Sequence, residues 1–233
     1  MIEIVFLDAG ETIVHPHPSF AELFAETCER GGYAVSPGDV RRVQEQLAPH
    51  LLDIGEGSGV QNPSFSPEAS FTFWTHLYAR FCADLGIDDV AMPEKLYRVF
   101  SSSESYRLFD DVVPALEALD AGGFRLGLIS NFEGWLEKML VELEVGDLFE
   151  VSVISGREGV EKPDPAIYEL ALERAGVRPD RALHVGDAPK LDVEPATSVG
   201  MHAVLLDRTA RYPDFEGLRI KSLEELPPLA AKL

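Results

Sequence analysis

Three short, predominantly apolar runs in this chain each stop on a polar residue, and that arrangement limits the fold more than any other feature. Ile2–Leu7 runs into Asp8, Phe124–Ile129 into Ser130, and Ala182–Val185 into Gly186-Asp187. Short apolar runs of this kind read as strands buried on both faces, a condition met inside a parallel sheet. Val151–Ile154 and His202–Leu206 read the same way. Between them lie helical patterns with legible ends. Asp164-Pro165 supplies an N-cap and a first-turn proline for a helix over Ala166–Ala175, and Gly176 supplies its stop. Ser222 and Glu225 have capping-box spacing for a last short helix, which Pro227-Pro228 is expected to halt. Alternating strands and helices predict an α/β fold with a Rossmann-like parallel sheet. The polar residues then sit at the carboxyl ends of strands, the edge where open parallel sheets bind ligands.

The interval between the first strand and the rest has a different rhythm. Helical periodicity runs through Phe20–Gly31, Asp39–Leu52, Phe71–Leu85 and Pro93–Phe100, with no convincing strand, and a Gly/Ser/Pro-rich loop, Gly55–Ser66, divides it. Phe71, Phe73, Trp74, Tyr78 and Phe81 are expected to fill a helix–helix core rather than line a binding site. The expected organisation is a core of residues 1–14 and 109–233, interrupted by an all-helical insertion of residues 15–108.

Composition narrows the partners. Forty acidic residues against twenty basic ones give a net charge of −20, which repels nucleic acid and anionic membrane, so neither is an expected partner. No apolar stretch approaches the roughly 20 residues that span a bilayer, and the amino terminus lacks a signal-peptide pattern. A cytoplasmic monomer or small homo-oligomer is expected. Cys28 and Cys82 form no metal-like cluster and read as free thiols.

Four polar stations follow one another along the chain: Asp8, Ser130-Asn131, Lys162, and Asp187 with Asp192. Each has a plain structural reading on its own. Asp8 could cap a turn, Ser130-Asn131 could be a helix N-cap, and Lys162 could be solvated. In order, they supply a nucleophilic carboxylate, a hydroxyl, a cation and paired acidic metal ligands, the parts needed to move a phosphoryl group. Asp8 is followed by Ala9-Gly10-Glu11-Thr12, and Lys162 opens Lys162-Pro163-Asp164-Pro165.

Together with Gly159-Val160-Glu161 and His184-Val185-Gly186-Asp187, these motifs resemble those of the haloacid dehalogenase superfamily of aspartate-nucleophile hydrolases. The resemblance implies a helical cap inserted in a Rossmann-like core, and hydrolysis of a small phosphorylated metabolite through an aspartyl-phosphate on Asp8. It assigns Mg²⁺ to the Asp8 side chain, the Gly10 carbonyl and Asp187, with Asp192 as a buttress. It assigns phosphoryl binding to Ser130, Asn131 and Lys162. The usual first motif, Asp-x-Asp-x-Thr, carries its general acid where this chain has Gly10. Glu11, one place on, is similar to the acidic residue of the rhythmically-expressed-gene-2-like branch, as are Phe73-Trp74 and Ser130-Asn131-Phe132-Glu133. His15 or His17 could also supply a proton, or the chemistry could dispense with one. Two alternatives stay open: a phospho-ligand or metal-binding protein with vestigial catalysis, and a 2-haloacid dehalogenase. The second fits the retained Asp187 and Asp192 poorly.

Overall fold

The structure, a computed structural model, describes residues 1–50, 54–55 and 57–233, without the side chain of Pro49. Its strands are β1 (Ile4–Leu7), β2 (Val14–Pro16), β3 (Tyr106–Leu108), β4 (Arg125–Ser130), β5 (Val151–Ile154), β6 (Ala182–Gly186), β7 (His202–Leu206) and β8 (Arg219–Ile220). One parallel sheet takes the order β5-β4-β1-β6-β7-β8, while β2 and β3 pair as a separate ribbon. The apolar runs are legible because β1 is buried at all four positions, between β4 and β6. In register, Leu7 lies level with Leu128 on one side and Val185 on the other. Asp8, Ser130 and Asp187 therefore emerge along one edge. This is the parallel α/β sheet, interrupted by helices, that the sequence predicts.

The chain divides into two units, Met1–Val14 with Leu108–Leu233, and His15–Arg107. The second unit contains α1 (Phe20–Arg30), α2 (Pro37–Leu47), α3 (Pro67–Asp84) and α4 (Met92–Phe100). Ser19, Ser36 and Ser66 cap the first three by accepting from the N–H groups of Glu22, Asp39 and Ala69. Phe24, Tyr78, Phe81, Met92, Leu96 and both buried cysteines belong to a single apolar cluster. Cys28 and Cys82 are free thiols, and burial pushes them up to about 11 and about 12.

Several expectations for this unit are corrected. α1 begins at Phe20 as expected, but α2 and α3 begin earlier than the apolar pattern implies, because Pro37 and Pro67 occupy first turns behind serine caps. α2 ends at Leu47 and passes into a 3₁₀ turn over Ala48–His50, while the expected extension to Leu52 lies outside the described residues. Glu56, in the expected Gly55–Ser66 loop, does too. The aromatic stripe is only half core. Tyr78 and Phe81 are buried, but Phe71 and Trp74 remain 37% and 38% exposed. Towards the start of α3 apolar partners thin out: Phe71 meets Tyr97 edge-on and Trp74 stacks on Tyr78. Strands also occur where none were expected, since β2 and β3 lie at the two ends of the inserted interval. Just inside them, His17 N–H donates to the Ser105 carbonyl at 2.8 Å.

In the first unit the helices are α5 (Val112–Ala121), α6 (Leu136–Glu142), α7 (Ser155–Glu158), α8 (Pro165–Ala175), α9 (Glu194–Ser198) and α10 (Leu226–Ala230). Ile167, Tyr168 and Ala171 of α8 pack against Ile4, Phe6, Ile129 and Val153 of the sheet. Asp164 caps α8 through the Ala166 N–H, and Gly176 ends it at φ +63°, a conformation that suits glycine. The Ser222–Glu225 capping box forms as expected. Pro227 and Pro228 do not halt the last helix. They lie in the first turn of α10, where a missing N–H leaves no intrahelical partner wanting.

Candidate active site

The loop after β1 folds tightly around one carbonyl. Asp8 N–H still bonds to the neighbouring strand, at 2.9 Å from the Val185 carbonyl. The Ala9 carbonyl then accepts from Thr12, Ile13 and Val14 at 3.3, 2.8 and 2.9 Å, while Glu11 N–H donates to the Val14 carbonyl at 2.8 Å. The Gly10 carbonyl takes part in none of these bonds. Closing so tight a turn puts Glu11 at φ +56°, in the left-handed region that residues with a Cβ usually avoid. On the far side of the turn the Thr12 carbonyl accepts from Arg208 Nη2 at 2.9 Å.

Lys162 stands at the centre of the polar cluster. It is 4% exposed, so the solvated reading is set aside. Its Nζ lies 2.6 Å from Asp8 Oδ1 and 2.7 Å from Asp192 Oδ1. Asn131 fixes the lysine backbone reciprocally: Lys162 N–H donates to Asn131 Oδ1 and Asn131 Nδ2 donates to the Lys162 carbonyl, both at 2.7 Å. The N-cap reading of Ser130-Asn131 fails as well, because α6 begins only at Leu136, behind Trp135. Ser130 ends β4 with its hydroxyl buried and, among the described residues, without a hydrogen-bond partner. A buried unsatisfied hydroxyl is costly in a folded protein and reads as a donor kept for a ligand.

Asp192 is held from every side. Oδ1 accepts from Lys162 and from His184 Nε2 at 3.1 Å, and Oδ2 accepts from the Ala188 N–H at 3.0 Å. Gly186 makes room for it, since a Cβ there would come within 2.1 Å of the Asp192 Cγ. Despite burial, which works against ionisation, the charge of Lys162 and the hydrogen bonds from His184 and Lys162 hold the Asp192 carboxyl well below the usual range. Lys162 is correspondingly kept protonated by its two carboxylates.

Among the described residues Asp187 has no such partners. Burial first, then the neighbouring charges of Asp8 and Asp192, push its carboxyl up to about 7. Burial also raises Asp8, against the pull of Lys162. Ligand oxygens of Asp8, Asp187 and Asp192 all lie within 4.8 Å of one another. One ammonium among three carboxylates leaves negative charge uncompensated, and two of the carboxyls are raised for that reason as well as by burial. A divalent cation fits this donor set: hard oxygens, one of them on an unpaired carboxylate. Asp192, already engaged by three protein donors, is better suited to holding Lys162 than to direct coordination. Among the described residues nothing hydrogen-bonds to the Glu11 carboxylate. Its surface is open but its neighbourhood is dense, and that crowding raises its carboxyl although Arg211 and Arg208 pull it down.

The structure thus brings Asp8, Lys162, Asp187 and Asp192 into one cluster, with Asn131 bonded to Lys162, Ser130 at the adjoining strand end, and Gly10 and Glu11 in the loop. Sequence reasoning gave His184 and Arg208 no role. The signal for His184 was a polar residue inside an apolar strand, whereas Arg208 had none beyond following β7. The sequence profile of the haloacid dehalogenase-like hydrolases matches residues 2–200. Haloacid dehalogenase-like hydrolase domain-containing protein 3 of Danio rerio is 30% identical over 235 residues, covering 96% of this chain and 94% of its own. The phosphoserine phosphatase of Thermus thermophilus is 34% identical over 131 residues, about half of each chain (54% and 53%). In fold, the chain is similar to the Bacillus subtilis HAD-hydrolase YfnB, solved with magnesium bound, at a TM-score of 0.77, 19% identity and 98% coverage of both chains.

Proposed function

We propose that this chain, which belongs to the haloacid dehalogenase-like hydrolase family, is a magnesium-dependent phosphatase of small phosphorylated metabolites. The observation that carries the reading is Lys162 Nζ lodged between Asp8 and Asp192, with the unpaired Asp187 beside them. The similarity to a phosphatase over half the chain supports the same chemistry. The largely helical insertion is read as the cap of this family.

Asp8 is the nucleophile. Its Oδ1 is occupied by Lys162, which leaves Oδ2 to attack phosphorus. The bond from Oδ2 to phosphorus forms as the ester P–O bond breaks, and the leaving oxygen takes the bonding pair and a proton. Water then attacks the aspartyl-phosphate at phosphorus, releasing inorganic phosphate and regenerating the carboxylate. The ammonium of Lys162 orients Asp8 and compensates charge on the transferring group, while Asn131 keeps the lysine backbone in place. The unsatisfied Ser130 hydroxyl donates to a phosphoryl oxygen. Asp8, the Gly10 carbonyl and Asp187 would hold Mg²⁺, which would supply Lewis-acid neutralisation of the phosphoryl oxygens. Glu11, in the loop after β1 and with its carboxyl raised by burial, is assigned the exchange of that proton.

Phosphate release from a metabolite panel, with Mg²⁺ and after its removal, tests this reading. Hydrolysis is expected only with the cation, and Asp8→Asn is expected to abolish it. Asp187→Asn is expected to weaken Mg²⁺ binding more than about tenfold in calorimetry while the protein stays folded. Undiminished Mg²⁺ affinity in that variant would remove the metal assignment. A second reading, binding with vestigial turnover, is favoured by one observation: Gly10 stands where the family's general acid is expected. Tight ligand binding without phosphate release would install it.

A further inference from the structure

The loop after β7 is built to hold one side chain still. Asp207 is 3% exposed, and its carboxylate accepts from the N–H groups of Arg211 at 2.7 Å and Tyr212 at 3.2 Å. Inside the turn so closed, Ala210 adopts φ +56°. A side chain with a Cβ takes up that conformation only where its surroundings impose it, and such imposed strain concentrates at ligand sites.

Arg208 fastens this loop to the one that carries Asp8. Its Nη2 donates to the Thr12 carbonyl at 2.9 Å, and its two Nη atoms meet both carboxylate oxygens of Asp111 at 2.7 and 2.9 Å. The guanidinium also lies 4.0 Å over the Phe109 ring. β7 is two strands from β1 in the sheet, about 10 Å at the usual strand spacing. An extended arginine side chain and a small metabolite together bridge such a gap.

Arg211 is the residue this construction presents. It is exposed, and among the described residues its guanidinium makes no hydrogen bond or ion pair. Many arginines of this acidic chain are paired, as Arg125 is with Glu150, Arg174 with Glu158 and Arg208 with Asp111. The charge of Arg211 nonetheless reaches the loop after β1, where, after burial, it is the foremost influence on Glu11. A guanidinium without a hydrogen bond or ion pair among the described residues, on a fastened, strained loop at the carboxyl edge of a parallel sheet, is free to receive an anion.

We propose that Arg211 binds a second anionic group of the substrate, so that the substrate is a phosphate monoester bearing a carboxylate or a further phosphate. This deepens the phosphatase reading and rests on it for the identity of the first phosphate. The guanidinium meets the second anion in bidentate fashion and fixes the distance from it to the phosphorus facing Asp8. It selects substrates and takes no part in the bond changes.

Matched pairs test the proposal on the whole protein with Mg²⁺: 2-phosphoglycolate against ethyl phosphate, and propane-1,3-diol bisphosphate against propyl phosphate. In at least one pair the member bearing the second anionic group is expected to have the higher kcat/KM, and the two pairs separate carboxylate from phosphate recognition. Arg211→Ala is expected to cut that preference about tenfold to a hundredfold, chiefly through KM, with part of it kept in Arg211→Lys. The backbone N–H that Asp207 holds is present in both variants, so the loop is retained. An unchanged preference in Arg211→Ala, or no preference in the wild type, overturns the proposal. Binding of phosphonoacetate against ethylphosphonate, followed by calorimetry, gives a readout free of turnover. Should no phosphate ester be hydrolysed while phosphonoacetate binding still depends on Arg211, the phosphatase reading falls and the anion receptor stands. Binding indifferent to Arg211 removes the receptor whatever the turnover.

Discussion

At Gly10 the backbone lies outside the left-handed region and a Cβ would meet no atom within 4 Å, whereas Glu11 beside it sits at φ +56°. The side chain is missing where there is room for one and present where the backbone disfavours it. Gly10→Asp is therefore expected to fold normally. If the proposed phosphatase lacks its acid, the variant should hydrolyse esters with poor leaving groups about tenfold to a hundredfold faster. The gain should be smaller with p-nitrophenyl phosphate, because nitrophenolate departs without a proton. Glu11→Gln should lower the wild-type rate if Glu11 performs that task. Steady-state kinetics on both substrates, with Mg²⁺ binding as a check on the site, decides the matter. A folded, Mg²⁺-binding Gly10→Asp with no gain, beside a silent Glu11→Gln, would end the missing-acid account. Relief of the left-handed backbone makes a separate claim: Glu11→Gly should stabilise the protein by about 1 kcal/mol in denaturant titrations.

Asp111, next to the start of α5, links distant parts of the core unit. Besides Arg208 it accepts from Ser222 Oγ and from the Leu223 N–H, each at 2.8 Å. Burial opposes its ionisation, yet these donors hold its carboxyl below the ordinary value. A depressed folded pKa contributes stability that is complete above the unfolded carboxylate value, about 3.9, and is lost as pH falls through the folded value. Asp111→Asn should thus cost about 2–3 kcal/mol at pH 7, a partly exposed pair falling below the fully buried case, and the deficit should shrink below about pH 4. Urea titrations at pH 7 and pH 3 measure both limbs, and an equal deficit at the two would show that charge is not the cause. None of these bonds was legible beforehand, since Asp111 and Arg208 are ordinary letters and Ser222 announces only its helix cap until the fold brings them together. The sheet was legible for the opposite reason. Strands buried on both faces write continuous apolar runs, while β2, β3 and β8, at two or three residues each, are too short to write any pattern. Order along the chain picked out Lys162 and Asp192, but burial, the grip of Asn131 and the share of His184 in Asp192 depend on contacts made across the sheet.

Residues 15–107 have a core of their own, centred on Phe24, Phe81, Leu96 and Phe100, and three of their helices carry side-chain N-caps. Such a segment has what a domain needs to fold alone. Expressed as His15–Arg107, it is expected to keep its helical circular dichroism and to melt cooperatively, and a non-cooperative melt would show that it depends on the sheet. Its two ends meet at the β2–β3 ribbon, with the His17–Ser105 hydrogen bond just inside. To the sheet, a long excursion of chain therefore has the connectivity of a hairpin, and closing it demands no more of the surrounding strands than a short turn would. A part attached in that way is exchangeable. Inheritance or design can lengthen, shorten or replace it through one junction, and the residues gathered around Lys162 need not change their letters to receive it.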